Sequence, residues 1–188
     1  DPASLYDVDF SDDGGSLLAD IHYSAWTGPG MTATQSVDWT PVATGVAAAS
    51  YTTDWTIGFA SLSEGINYIS VRALDGDGSS TVATDVFYIK KDTQAPSFAG
   101  LTSLTRCGAD CLRLAWDPAS DVSPVTYSGF AASATGGQDF ATPGFSTTAT
   151  TIDITGLPYG HYYYVVRAAD SAGNTELNTI ELTAFIED

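Results

Sequence analysis

Gly65-Ile-Asn-Tyr-Ile-Ser-Val-Arg-Ala-Leu-Asp-Gly-Asp-Gly78 returns as Gly160-His-Tyr-Tyr-Tyr-Val-Val-Arg-Ala-Ala-Asp-Ser-Ala-Gly173. The match runs back without a gap to Thr56 and Thr151, at a constant offset of 95 residues (160 minus 65). Thr56, Ile57, Leu62, Gly65, Tyr68, Val71, Arg72, Ala73, Asp75 and Gly78 have identical counterparts in the second copy. A period this long is a small domain, so the 188 residues divide into two related units, expected over 1–93 and 94–188. Within each copy apolar residues alternate, as in a half-buried strand, and the copy ends in Asp/Gly turn chemistry. The fold class expected is all-β, two tandem β-sandwiches.

Composition agrees. Apolar residues make up 44% of the chain, threonine, serine, valine and tyrosine are abundant, and lysine occurs only at Lys90 and Lys91. β-Branched and aromatic side chains suit a pleated surface, and no stretch keeps helical apolar spacing over three turns. The net charge of −17, from 23 acidic and 6 basic residues, repels phosphate backbones and anionic leaflets, which argues against nucleic-acid binding. No apolar run approaches the roughly 18 residues of a membrane span, so direct insertion of this segment is not expected. The same charge makes a divalent cation a candidate partner.

Short strands are expected at Leu5–Phe10, Leu17–Ala25, Gln35–Pro41, Trp55–Phe59, Asn67–Leu74 and Thr84–Lys90. In the Leu17 run, Leu17, Ala19, Ile21 and Tyr23 read as one face, and Leu18, Asp20, His22 and Ser24 as the other. Residues 90–96, closing on Pro96, read as the junction. The second unit repeats the plan at Leu101–Cys107, Cys111–Trp116, Val125–Ala132, Thr148–Ile154, Tyr162–Ala169 and Asn178–Phe185. Cys107 and Cys111, the only cysteines, flank Gly108-Ala-Asp110 between two β-runs. A disulfide across this turn is expected, which implies an oxidising compartment. A metal site would need two more ligands at suitable spacing, and a redox pair would be Cys-x-x-Cys at a helix start.

Leu112-Arg-Leu-Ala-Trp116, Tyr127, Ile154-Thr-Gly-Leu-Pro-Tyr-Gly160 and the run from Tyr162 to Asp170 resemble a bacterial extracellular fibronectin type III domain over residues 95–186. Thr135-Gly-Gly-Gln-Asp-Phe140 and Asp170-Ser-Ala-Gly-Asn174 strengthen the likeness. Tyr162 is the corner tyrosine this resemblance implies, and Trp116 its buried strand tryptophan. Ser36-Val-Asp-Trp-Thr-Pro-Val-Ala43, Trp55-Thr-Ile-Gly-Phe59 and Glu64-Gly-Ile-Asn-Tyr-Ile-Ser-Val-Arg-Ala73 resemble a bacterial immunoglobulin-like domain, placed over residues 1–93. Together the resemblances imply extracellular display at a bacterial cell surface, in tandem with other modules, and no reaction.

Candidate sites are few. His22 falls mid-strand and His161 at a corner, and neither sits in a nucleophile elbow, so an enzyme is not expected. Asp12-Asp13-Gly-Gly and Asp75-Gly-Asp77-Gly offer hard oxygens in loops, making Asp12, Asp13, Asp75 and Asp77 candidate calcium ligands, with the two loops expected at opposite ends of the sandwich. Asp117, Asp121 and Asp170 are weaker candidates in the second unit. Trp26 is the leading surface aromatic, with Trp39, Tyr68 and Tyr163 behind it, as a contact for protein or glycan. Trp55 reads as buried. Arg72 and Arg167 are expected to face outward beside acids such as Asp85 or Glu181. The expected function is a non-catalytic exported structural or adhesive module, a fibre subunit or stalk whose partners are other copies of itself or neighbouring surface domains. Its edges, Leu5–Phe10 and Asn178–Phe185, could add to another sheet. The alternative is a carbohydrate-binding or glycanase-accessory module.

Overall fold

Alternation becomes strands in a computed structural model that describes residues 4–187, and the chain divides into two units between Lys91 and Asp92. Unit 1 contains β1 (Phe10–Ser11), β2 (Leu18–Gly28), β3 (Thr32–Ala48), β4 (Ser50–Tyr51), β5 (Gly65–Asp75) and β6 (Ser80–Lys91). An antiparallel sheet of order β3-β2-β5-β6 forms one layer. The other layer is slight: β1 pairs with β4, and a bridge from Tyr6 to Trp55 extends that pair. Ile21, Tyr23, Ala25, Ile69, Val71 and Ile89 of the large sheet meet Phe10, Trp55, Ile57 and Leu62 of the small layer. Trp55 is 5% exposed, against Tyr23, Tyr6 and Phe87.

Three expectations for unit 1 are corrected. Leu18, not Leu17, enters the core: Leu17 has a φ of 64° and is exposed, and a register shift between Leu18 and Asp20 changes the parity before Ile21. A bulge of this kind inserts one extra residue, which alternation alone does not register. The span Trp55–Phe59 is not a strand; after the Trp55 bridge the chain turns through a 3-10 helix at Phe59–Ser61, so that Ile57 and Leu62 both reach the core. The long strand β3 runs well beyond Gln35–Pro41 at both ends.

Unit 2 contains β7 (Ser103–Gly108), β8 (Cys111–Ala115), β9 (Val125–Ala132), β10 (Phe145–Thr147), β11 (Thr151–Ile154), β12 (Gly160–Asp170) and β13 (Glu181–Ile186). Three strands, β11-β8-β7, face four, β10-β9-β12-β13. Leu112, Leu114 and Trp116 on one side pack against Tyr127, Tyr164, Val166 and Ala168 on the other. Leu112 and Leu114 are fully buried, each contributing about 2 kcal/mol from apolar area removed from water. Strand β10, absent from the sequence reading, depends on Gly129: a Cβ there would run into the Phe145 ring, which lies across it and stacks toward Trp116 at 6.3 Å. No described helix is long and apolar enough to cross a membrane.

Candidate functional site

The repeated residues tie the backbone together. Tyr162 donates its hydroxyl to the Pro158 carbonyl at 2.8 Å, closing the corner before β12. Its counterpart is Asn67 (67 plus 95 is 162), which is fully buried. The Asn67 amide donates to the carbonyls of Ser63 (2.7 Å) and Gly65 (3.2 Å), and its oxygen accepts from Ser63 N–H (3.0 Å) and Ser36 Oγ (2.9 Å). The Asp75 carboxylate accepts the N–H groups of Asp77 and Ser79; Asp170 does the same for Ala172 and Asn174. Burial would raise the Asp170 pKa, but bonds from the Asn174 side chain and the backbone of Asn174, Gly173 and Ala172 outweigh it and hold the carboxyl below its ordinary value.

Cys107 and Cys111 form a disulfide with Cα atoms 5.1 Å apart, across the β7–β8 turn. Their thiolates are thereby removed as metal ligands beside the adjacent Asp153, which is held by Arg113 through two 2.7 Å bonds.

The loop acids sort differently from expectation. Asp12 and Asp75 lie at one end of unit 1, joined by Ser16 Oγ, which bonds both carboxylates at 3.1 and 3.0 Å. The physical reason is that the turn after β1 and the β5–β6 loop open at the same end of the unit, with Ser16 between them. Asp12 also accepts Gly14 N–H. Asp13 and Asp77 are exposed and add no carboxylate to that link. In unit 2, Asp121 and Asp170 come together with Asp92, one carboxylate oxygen of each within 4.8 Å of the others, while Asp117 stands exposed and apart. Asp92 Oδ1 is buried without a hydrogen-bond partner, and Oδ2 meets Ser123 Oγ. The three arginines of the unit are engaged elsewhere: Arg106 with Glu187, Arg113 with Asp153, and Arg167 with the Asn178 carbonyl. Three carboxylates and a hydroxyl are the donor set of a hard divalent cation. Asp92 escaped the sequence reading because it belongs to the junction, far along the chain from Asp170.

The arginines do not pair with Asp85 or Glu181. Arg72 lies 4.7 Å over the Trp39 ring and Arg167 3.4 Å over Phe140. Asp85 instead accepts Gly30 N–H, and Glu181 accepts Thr135, Gly136 and Gln138. Those three contacts strap the β9–β10 connection over the outer face of the four-stranded sheet of unit 2, where Phe140 packs on Phe130 at 5.2 Å. Tyr163, half-buried, sits beside this strap, and its carbonyl accepts from Gln138.

The corresponding face of unit 1 is covered in part: the β2–β3 turn is tied to β6 by Gly30 N–H and Asp85, and Ser24 and Ser70, at outward positions, are fully buried. Trp26 pairs in register with Tyr68, and Tyr68 with Tyr88, so three aromatic side chains cross β2, β5 and β6 in one row. At the usual inter-strand spacing the row is ~10 Å across. Trp26 and Tyr68 are half-buried, Trp26 Nε1 bonds Ser24 Oγ at 3.1 Å, and Tyr88 is 65% exposed. Tyr88 was missed, although its alternation with Phe87 and Ile89 marks it as outward. His22 stands on the same face; burial, then the neighbouring Arg72, lowers its pKa, and its Nδ1 is buried without a partner. His161, in the other unit, packs on Phe185 at 4.5 Å. Among the described residues neither histidine hydrogen-bonds a serine or an acid, so no nucleophile–base pair is assembled there.

No family model matches the chain, and no curated protein does. Among solved structures it is similar to the FN1-FN3 domains of chicken CNTN1, at 13% identity, covering 100% of this chain and 67% of that one with a TM-score of 0.45. It is also similar to the fibronectin(III)-like modules of Clostridium thermocellum CbhA, at 14% identity, covering 96% and 85%, with a TM-score of 0.38. The fold itself is defined by its own strands: three face four in unit 2, with a tyrosine closing the corner, which is the β-sandwich expected for it.

Proposed function

We propose that this chain is a non-catalytic, exported structural or adhesive module of a bacterial cell surface, a fibre subunit or the stalk of a larger protein, which works through contact surfaces. One observation carries the reading: the sheet face of unit 1 bears a row of Trp26, Tyr68 and Tyr88 that opens to solvent at Tyr88, 65% exposed, where unit 2 straps Phe140 over the equivalent face. An exposed tyrosine backed by two half-buried aromatics has the composition of a protein contact, flat, apolar and low in side-chain entropy. The disulfide favours an oxidising compartment. Sedimentation and negative-stain imaging of the full chain over a range of salt and calcium provide the test. Association that weakens in Trp26→Ala and Tyr88→Ala is the expected result; monomers under every condition would reject it. Retention on polysaccharide columns that vanishes in Trp26→Ala would replace it with the carbohydrate-binding alternative.

A second reading concerns a cofactor. Asp92 offers a carboxylate oxygen within 4.8 Å of one from Asp121 and one from Asp170, and its buried, unpartnered Oδ1 favours calcium at this cluster of unit 2. Calcium, and not magnesium, should then raise the melting temperature, and Asp121→Asn should remove that rise. Equal melting in calcium and in chelator rejects the site.

A further inference from the structure

The two units share a four-stranded sheet and differ in what faces it. In unit 2 the inner strand β8 is flanked by β11 on one side and β7 on the other, and β7 lies against the edge strand β13. In unit 1 the facing strand β1 has β4 on one side, and no described residue pairs with its other edge. The position that β7 fills in unit 2 is a groove of about 360 Å³ in unit 1, between Val8–Asp12 and the strands β5 and β6.

The lining of this groove states what would fit it. Tyr6 exchanges two hydrogen bonds with Trp55, and Asp12 N–H bonds the Ala49 carbonyl. Antiparallel alternation therefore turns the N–H and C=O groups of Asp7, Asp9 and Ser11 away from β4, toward the open side. An unpaired strand edge is a template for another strand. The floor is apolar, with Phe10, Leu18, Val71, Ala83 and Val86, while Asp9, Asp12 and Asp75 supply the charge of the rim and no basic residue lines it. We propose that this groove is the docking site for an added β-strand from a partner polypeptide: extended over roughly 17 Å, apolar at alternate positions, and basic at the end that meets Asp12 and Asp75. Backbone pairing along β1 would provide affinity, and the alternate side chains specificity. A second copy of this chain fits less well, since it carries the same acidic charge and its one apolar segment ending in lysines, Val86–Lys91, already lies in β6. The inference does not rest on the aromatic row, which occupies the opposite face of the sheet.

The test uses the full chain, labelled for amide hydrogen exchange, and a capped synthetic peptide that alternates valine with threonine and carries a lysine at each end. The peptide should slow exchange at Asp7, Asp9 and Ser11. A version N-methylated at alternate amides keeps the side chains but cannot pair, and should bind at least tenfold more weakly. Val86→Lys, at a position already 41% exposed, should leave the melting of the free protein near wild type and weaken the lysine peptide at least tenfold. Equal binding of the methylated peptide, or unchanged exchange at those three amides up to millimolar peptide, overturns the proposal. So does protection that grows with protein concentration in the absence of peptide, which would make a second copy the occupant.

Discussion

Unit 1 and unit 2 solve the same corner with different chemistry. Asn67 buries an amide that holds four backbone and side-chain partners, whereas Tyr162 reaches out with one hydroxyl to Pro158. Behind each corner the same four-stranded sheet forms, yet its facing layer has three strands in unit 2 and a two-stranded pair in unit 1. The comparison teaches that the repeat encodes one half of the sandwich. Residues 56–78 and 151–173 cover the last part of the smaller layer, the corner, the long strand and its turn. They say nothing about the strand that completes the other layer.

The sharpest way to break the comparison is at the corner. Asn67→Ala strands a buried N–H and two carbonyls and should cost roughly 3 kcal/mol. Tyr162→Phe loses one hydrogen bond at an exposed position and should cost about 1 kcal/mol. Denaturant unfolding, resolved by exchange at β5 and β12 amides, measures both; equal losses would mean that the two corners bear similar weight. Next comes the staple peculiar to unit 2. Replacing Cys107 and Cys111 by serine removes a bond worth about 2 kcal/mol for so short a loop in the chain-entropy model. That loss should register at β7 and β8 and leave β5 unchanged.

Smaller still is a device the units share. Arg72→Ala and Arg167→Ala each remove a guanidinium from an aromatic face and should cost about 0.5–1 kcal/mol, read by the same unfolding experiment. Lysine in place of either arginine should recover only part of that loss, because it lacks the planar group that stacks. Acid should separate the units last. The Asp170 carboxyl sits below its ordinary value in the folded state, so its contribution is complete above the usual carboxylate range, near pH 4. The contribution fades as pH falls toward the lower folded value, because the unfolded chain takes up the proton first. Glu181 acts in the same direction through Thr135, Gln138 and Gly136. The acid limb of unit 2 stability should therefore flatten in Asp170→Asn, and an unaltered limb would exclude the carboxyl as its source.

Alternation, turn residues and the repeat were enough to locate most strands, the two-unit division and both buried tryptophans, because each is a property of neighbours along the chain. Val125–Ala132 has the expected ends, and the Cys107–Cys111 separation already brings the sulfurs within reach of one bond. Chain-local patterns could not foresee the extra residue near Ala19, which hands the core to Leu18, or the glycine that lets Phe145 form β10. The meeting of Asp92 with Asp121 and Asp170, the link from Asp12 to Asp75, the row that Tyr88 completes and the unfilled edge of β1 all join residues remote in sequence. Those contacts exist only once sheets have chosen their neighbours and register, and that choice belongs to the packed core as a whole rather than to any one segment.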